Sequence, residues 1–391
     1  MPEQDQVCPF TPGTHRVEEI HAQLRSGSGV REGQLPDGSP VWIVAGYDAV
    51  TRLLADRKVS ASKDDSTTGF RGQNLPPALD KNLLNIDGEQ HRRVRSLAAA
   101  AFSGENAGRH RQVVAEEVAA LLSVLPREGE VDLVRELCDP LPPRVIGRVL
   151  GLPADKLPEF REAARPIFAI DTSKEGEAIQ GAMLAMLMLV AGVIEEKRAH
   201  PGPDLLSEWI AARDGGDRLS EEELLSLAFA TIIGGFENVT ALVGWTLDET
   251  IRHRSAAARA SLNDPESFQS YVRATMGSVA PVNFALRRFP LEDITIGEVT
   301  IPKGHTVMPS LRSANSDPSR EERPDLLFGY GRHFCIGSQL AEAEVSQTVH
   351  QVLARWSTVE PLRPRNDLAL RPSWFTYALA ELPVQVGGAA Y

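Results

Sequence analysis

Cysteine is scarce in this 391-residue chain, which has only Cys8, Cys138 and Cys335. Three thiols this scattered exclude a disulfide framework and a Cys-x-x-Cys zinc site. Cys8 is expected in a mobile tail, and Cys138, in LCDPLPP, reads as a packing residue. Basic charge is in deficit, with a formal net charge of −12. That balance argues against nucleic-acid binding and against adhesion to anionic membranes. The first residues (MPEQDQ) contain no basic n-region, no apolar h-region and no membrane-spanning run, so a cytoplasmic protein is expected. Internal repeats and long low-complexity linkers are lacking as well, and a single domain over residues 1–391 is expected, with ample material for a core.

What the chain does have is helical periodicity. Apolar spacing predicts helices over 16–26, 46–55, 90–101, 108–125, 141–151, 155–166, 174–200, 204–213, 220–253, 264–277 and 336–356. Short strand-like pieces fall at 40–44, 293–301 and 305–309, with a β-rich tail near 370–387. The stretch GEVTIPKG at 297–304 reads as a strand turning at glycine and proline. The fold class is therefore mainly α with a small β-rich region.

Residues 328–341 (FGYGRHFCIGSQLA) are the most informative segment. Cys335 stands between a glycine-rich loop (Gly329, Gly331) and an amphipathic helix whose apolar positions include Ile336, Leu340, Ala343, Val349, Val352, Leu353 and Trp356. A thiolate there faces backbone amides at a helix N-terminus, which favours the anion. Glycines let the backbone approach a bulky flat group closely. An isolated cysteine is usually a small buried hydrophobe; the seven fixed positions around this one point elsewhere. The run resembles the haem-thiolate loop of cytochrome P450 enzymes, FGxGxHxCxGxxLA, at every fixed position. The resemblance implies the cytochrome P450 fold and a haem b whose iron is held by Cys335, with Phe328, Gly329, His333 and Gly337 beside it.

A second segment lies between Ser220 and His253. Ser220 and Glu223 form a capping box, and the run that follows is apolar on nearly every face, as expected of a helix buried through the middle of a protein. Gly234 and Gly235 each cost about 1 kcal/mol of helix propensity, which suggests close approach or a local groove. Glu237 is out of place in such surroundings unless paired or hydrated. The P450 pattern on this helix is small-Gly-x-acid-Thr over the distal haem face. Here the acid is Glu237 and the usual threonine is Asn238. The resemblance makes both catalytic candidates for proton delivery, with asparagine able to donate and accept in place of a hydroxyl. Thr240 lies about 200° around the helix from Asn238. Phe236 is expected to form an aromatic wall of the substrate pocket.

His91 and Arg95 stand four apart, on one helix face. They resemble the family's Asp-x-x-x-His-x-x-x-Arg helix, whose His and Arg hold a haem propionate. Arg288, in preference to Arg287, and His333 complete that set by resemblance, while Arg92 and Arg93 read better as a solvated basic face. One departure is plain: the family's Glu-x-x-Arg pair falls on Ala274 and Gly277, so neither charge is present. Arg273 is one position out of register, and Arg320 is the one expected survivor of the network. A looser proximal side is expected.

Residues matching the family's substrate-contact regions are Phe236, Asn283, Phe284, Leu286, the Ser60 to Leu75 loop, and Phe375 with Trp374 and Thr376. The resemblance implies a monooxygenase acting on a small organic substrate, in the setting of natural-product biosynthesis. It would use dioxygen and electrons from a ferredoxin and its reductase, with Arg92, Arg93 and Arg332 offering an acidic redox partner a basic surface. Two alternatives stay open. One is an altered enzyme using peroxide or catalysing coupling, cyclisation or rearrangement; the other is a haem-poor scaffold for a partner enzyme.

Overall fold

A computed structural model describes residues 8–69, 79, 82–102, 105–167, 176–214, 219–254 and 261–389. Helices α1 (Val17–Leu24) and α2 (Tyr47–Ala55) flank a hairpin of β1 (Val30–Gln34) and β2 (Pro40–Val44), with short β3 (Val59–Ser60) beyond. Then come α3 (Gly88–Ala100), α4 (Glu105–Ser123), β4 (Gly129–Asp132), α5 (Leu141–Leu150), α6 (Leu157–Ile167), α7 (Gly176–Ala199) and α8 (Leu205–Asp214). The apolar middle forms α9 (Glu221–Gly234) and α10 (Glu237–Glu249), followed by α11 (Pro265–Val279). The last third holds β5 (Phe289–Pro290), β6 (Ile294–Ile296), β7 (Val299–Ile301), β8 (Val307–Pro309), α12 (Leu311–Asn315), α13 (Ser338–Arg355), β9 (Trp356–Pro361) and β10 (Pro383–Ala389).

Sheet pairing stitches distant parts together. β2 pairs antiparallel with β1 and parallel with β8, Trp42 opposite Val307. β10 lies between β4 and β9, so the C-terminal strand closes on the region after α4. The strand expected over 293–301 is the tight hairpin β6–β7, turned where Gly297 takes φ +60°. The helix expected to run to 356 stops at Arg355, because Trp356 is already the first residue of β9.

The helix expected over 220–253 is not continuous. The Ser220–Glu223 capping box starts α9 as expected. Gly235 and Phe236 then leave helical geometry, and α10 begins afresh at Glu237. Gly235 packs closely on α5 at this point: a Cβ there would meet Ile146 Cδ1 at 2.6 Å. The stretch 221–253 is long and apolar enough to cross a membrane by length and composition. In this fold it is a core helix pair, with Leu224, Leu227, Phe229, Ile232 and Val239 to Asp248 buried.

The main core gathers these helices with Phe160, Trp209, Val349 and Trp356, each such large side chain contributing roughly 1.5–3 kcal/mol on burial. Cys138 lies inside it as a fully buried packing residue. Cys8 is exposed, in a turn where Thr11 N donates to its carbonyl at 3.1 Å. Rather than a loose tail, the chain is docked from Phe10, which is buried against Phe284 and Trp374.

Candidate active site

The thiol loop is built from backbone constraints. Gly329 and Gly331 take φ of 76° and 71°, which side-chain-bearing residues rarely adopt. A Cβ on Gly331 would stand 2.8 Å from the Leu54 carbonyl oxygen, so the loop packs directly on the end of α2. Cys335 N donates to the Phe328 carbonyl at 3.0 Å, closing the loop, and Gly337 N-caps α13. The Cys335 thiol retains accessible surface. Protein packed around it raises its pKa, while the Gly337 amide and the Arg95 charge oppose that rise. The amide at the helix start acts in the expected direction, but desolvation is the larger effect in this loop.

Beside the loop lies a cluster of nitrogen donors. The rings of His91, on α3, and His333 are 4.1 Å apart between centroids. The Nε2 atoms of both are buried without a hydrogen-bond partner among the described residues, that of His333 lying 3.6 Å from Asp87 Oδ2. Arg95 donates to the Phe334 carbonyl. Arg288 is 3% exposed and its Nη1 donates to the carbonyls of Leu286 and Arg287, at 2.8 and 3.0 Å. Burial, then Arg287 and Arg332, lowers its pKa to about 10. Arg287 points elsewhere, to the Leu84 carbonyl and Asn85.

Asp87, His91 and His333 place ligand-capable atoms within 4.8 Å of one another. Asp87, however, is already committed to Arg332 at 2.9 Å and to the amides of Gly88 and Ala61, each at 3.0 Å. Burial, His333, Arg95 and Arg332 together bring His91 down to about 4. A field this positive suits a carboxylate better than a cation. An accessible thiol at a helix start, with buried imidazole and guanidinium donors nearby, is the donor set that a porphyrin bearing carboxylates requires. The residues present fit a haem.

Across the break in the central helix, Glu237 is half-buried, and its buried Oε1 has no hydrogen-bond partner among the described residues. Burial raises its carboxyl pKa, opposed by hydrogen bonding from Ser373 and Thr376 and by the Arg371 charge. Asn238 Oδ1 accepts a hydrogen bond from Thr376 Oγ1 at 3.2 Å. Thr240 is turned away, donating to the Cys138 carbonyl at 3.3 Å. Ser373 and Thr376 are therefore the hydroxyls beside the acid. No local spacing signals them, since they arrive from the far end of the chain.

The expected substrate-contact residues divide. Asn283 is buried with its amide committed: Nδ2 donates to the Trp374 carbonyl and Oδ1 accepts from Arg312 Nε, both at 2.9 Å. Phe284 is fully buried and packs on Phe10, His21 and Trp374. These two are packing residues rather than free pocket wall, a correction to the sequence reading. Leu286, Phe236 and Phe375 keep accessible surface, as does Val282, which the sequence reading missed. Of the Ser60 to Leu75 loop, the part to Gly69 is docked rather than free: Thr67 N donates to the Gly304 carbonyl at 2.9 Å. Its remainder, Phe70 to Leu75, lies outside the described residues.

The basic face expected for docking is largely engaged internally. Arg93 pairs with Glu223, joining α3 to α9, and Arg332 is held by Asp87 and by the carbonyls of Asp56 and Val59. Arg92 and Arg93 are exposed, whereas Arg332 is half-buried. The proximal side carries ion pairs of its own. Arg273 pairs with Asp325 at 3.0 Å and with Glu342 at 3.2 Å. Arg320 serves its own loop, donating to the carbonyls of Asn315 and Arg323.

A cytochrome P450 family model matches residues 276–376. The chain is 30% identical over 379 residues to "Vitamin D(3) 25-hydroxylase" of Pseudonocardia autotrophica, covering 94% of this chain and 93% of that one. It is 31% identical over 381 residues to "Cytochrome P450 monooxygenase PikC" of Streptomyces venezuelae, covering 93% and 90%. Among solved structures it superposes on the cytochrome P450 enzyme CxnD, for C–S bond formation in chuangxinmycin biosynthesis, with TM-score 0.86 and 27% identity. That match covers 98% of this chain and 97% of CxnD. Fold and thiol loop define a haem-thiolate oxidoreductase. The chain belongs to the cytochrome P450 family, although it lacks that family's usual Glu-x-x-Arg pair.

Proposed function

We propose that residues 1–391 form one cytoplasmic P450 monooxygenase unit that oxidises a small organic molecule of natural-product biosynthesis, with electrons from a ferredoxin and its reductase. The observation that carries this reading is the accessible Cys335 thiol, closed into its loop by the Phe328 carbonyl and flanked by the His91, His333, Arg95 and Arg288 donors. Relatives named as a monooxygenase, PikC, and as a 6-deoxyerythronolide B hydroxylase support the reaction, and one named for polyketide biosynthesis, PksS, supports the setting. Cys335 would hold the iron of haem b, and His91, Arg95, Arg288 and His333 its carboxylates. The haem, when bound, supplies the oxygen-activating chemistry.

The chain's own residues do the rest. Glu237, whose carboxyl pKa burial raises, is the chain's own group for holding and passing a proton at this place. Asn238, oriented by Thr376, offers its amide hydrogens where family members use a hydroxyl. Phe236, Val282, Leu286 and Phe375 supply apolar surface for the substrate.

The reduced protein under carbon monoxide should show the strongly red-shifted Soret band of thiolate-ligated haem, and Cys335→Ser should abolish it. An unchanged spectrum in that variant would refute the assignment. A second reading, coupling or cyclisation instead of hydroxylation, is favoured by the Asn238 substitution and by likeness to CxnD. Product analysis with and without a reducing system separates the two. The intact donor set speaks against a haem-poor scaffold.

A further inference from the structure

We infer that Arg273, Asp325 and Glu342 form a clamp that holds the Phe328–Cys335 loop in the geometry a thiolate ligand needs, an inference that rests on Cys335 carrying the haem. Arg273 projects from α11 to both sides of the loop. Upstream, its Nη2 donates to Asp325 Oδ1 at 3.1 Å, while Nη1 lies 3.0 Å from Oδ2, too oblique for a second hydrogen bond. Asp325 in turn accepts from Leu327 N at 3.0 Å, immediately before the loop. Downstream, Arg273 Nε lies 3.2 Å from Glu342 Oε1, in the second turn of α13. Its guanidinium carbon sits 5.7 Å from the Phe328 ring centroid, within cation–π range.

Phe328 is the residue whose carbonyl receives Cys335 N. One guanidinium therefore grips the chain before Phe328 and after Cys335, leaving the thiol little freedom to drift. Planar multidentate pairing of this kind is what arginine, and not lysine, provides.

Gly277 is the complementary half of the arrangement. A Cβ there would stand 2.8 Å from Asp325 Oδ2 and 3.7 Å from Arg273 Nη1. In its present position Asp325 approaches Arg273 through the space that a side chain at position 277 would fill. Arg273, Gly277 and Asp325 thus form a mutually dependent set. Glu342 adds a second anion that biases the guanidinium toward α13. Arg273, Asp325 and Glu342 are positioning residues, acting on the thiol through Phe328 and the start of α13.

The test compares the purified haem-loaded parent with Arg273→Ala, Asp325→Ala, Arg273→Lys and Gly277→Ala. It measures haem per chain and the rate at which the carbon monoxide complex converts from the thiolate band to the neutral-thiol band in mild denaturant. Arg273→Ala and Asp325→Ala should convert about three- to tenfold faster, the range expected for a partly exposed multidentate ion pair. Arg273→Lys should fall between them and the parent. Gly277→Ala is diagnostic, because alanine favours the helix yet pushes Asp325 away, so conversion should accelerate without global destabilisation. If Arg273→Ala fails to fold, Gly277→Ala decides alone. Parent-like conversion in Gly277→Ala, or in a folded Arg273→Ala, would overturn the clamp while leaving the haem assignment standing. A parent lacking the thiolate band would overturn the haem assignment and the clamp with it.

Discussion

Thr376 donates a hydrogen bond from Oγ1 to Asn238 Oδ1 across 3.2 Å, joining the C-terminal loop to the start of α10. Thr376 is fully buried, and its hydroxyl also lowers the Glu237 pKa against the opposing pull of burial. One alcohol thus lies beside both residues of the acid–amide pair, with its single proton donated to Asn238. Thr376→Val removes the donor at nearly constant volume. It should cost about 1–2 kcal/mol, because the half-buried Asn238 oxygen loses its partner, and it should push the Glu237 carboxyl higher still. Urea unfolding reads the first effect; an unchanged midpoint would remove this bond from the stability of the distal site.

A second prediction concerns acid. His21 is fully buried between α1 and the start of α12, its Nδ1 2.7 Å from Ser310 Oγ. Burial, then the charges of Arg312 and Arg25, takes it down to about 3 from an ordinary 6.5. Below pH 6.5 the unfolded chain binds a proton there that the folded protein refuses, so stability falls as pH falls through that window. His21→Gln should remove about one proton from the pH dependence of unfolding, worth about 2 kcal/mol between pH 7 and pH 5. Parallel stability–pH curves for the two proteins would contradict this.

Glu344 predicts the opposite slope. It is fully buried in α13, and both carboxylate oxygens lack hydrogen-bond partners among the described residues. Burial raises its pKa well above 4.5, so the folded protein keeps the proton that the unfolded chain releases. Stability attributable to this group therefore declines as pH rises above about 4.5. Glu344→Met, unbranched and helix-favouring, should stabilise the protein by about 1–3 kcal/mol at pH 8 and by less at pH 5. Thermal unfolding at both pH values measures the difference, and an equal or negative shift would argue against a neutral carboxyl there.

How much of this site could be read in the sequence depended on how far apart its parts lie. The Cys335 loop was legible because its constraints are contiguous, and His91 and Arg95 because helical spacing puts them on one face. The Ser220 capping box marked the start of α9 for the same local reason. The break after Gly234 was not legible, since the apolar run continues through it unchanged. Nor was the Thr376–Asn238 bond, whose partners are 138 residues apart. Arg273 looked misplaced because register was judged along one helix, whereas its partners stand on the loop before Phe328 and on α13. Strands β1, β4 and β9 went unread because VREGQ, GEVD and WSTVEP carry too many polar or charged residues to stand out.

Asp87 concentrates several of these ties in one side chain. Its carboxylate caps the first turn of α3, accepts from Ala61 N, and pairs with Arg332 of the thiol loop. Burial would raise its pKa, but the nearby His333 imidazole and the hydrogen bonds from Arg332, Gly88 and Ala61 together hold it far below the usual carboxylate range. With the folded pKa depressed, its stabilising contribution is complete above the unfolded value near 3.8 and is lost as pH falls below it. Asp87→Ala removes a helix cap and leaves the Arg332 guanidinium, about a quarter exposed, without its carboxylate. The expected loss is about 2–4 kcal/mol near neutral pH. Because Asp87 also stands 3.6 Å from His333 Nε2, haem retention should fall together with stability. Asp87→Asn, which keeps one acceptor oxygen for the cap, should recover part of the stability but little of the grip on Arg332. Chemical denaturation with parallel haem titration of the three proteins tests this; an Asp87→Ala protein that matches the parent in both would show that the carboxylate does not link α3 to the thiol loop.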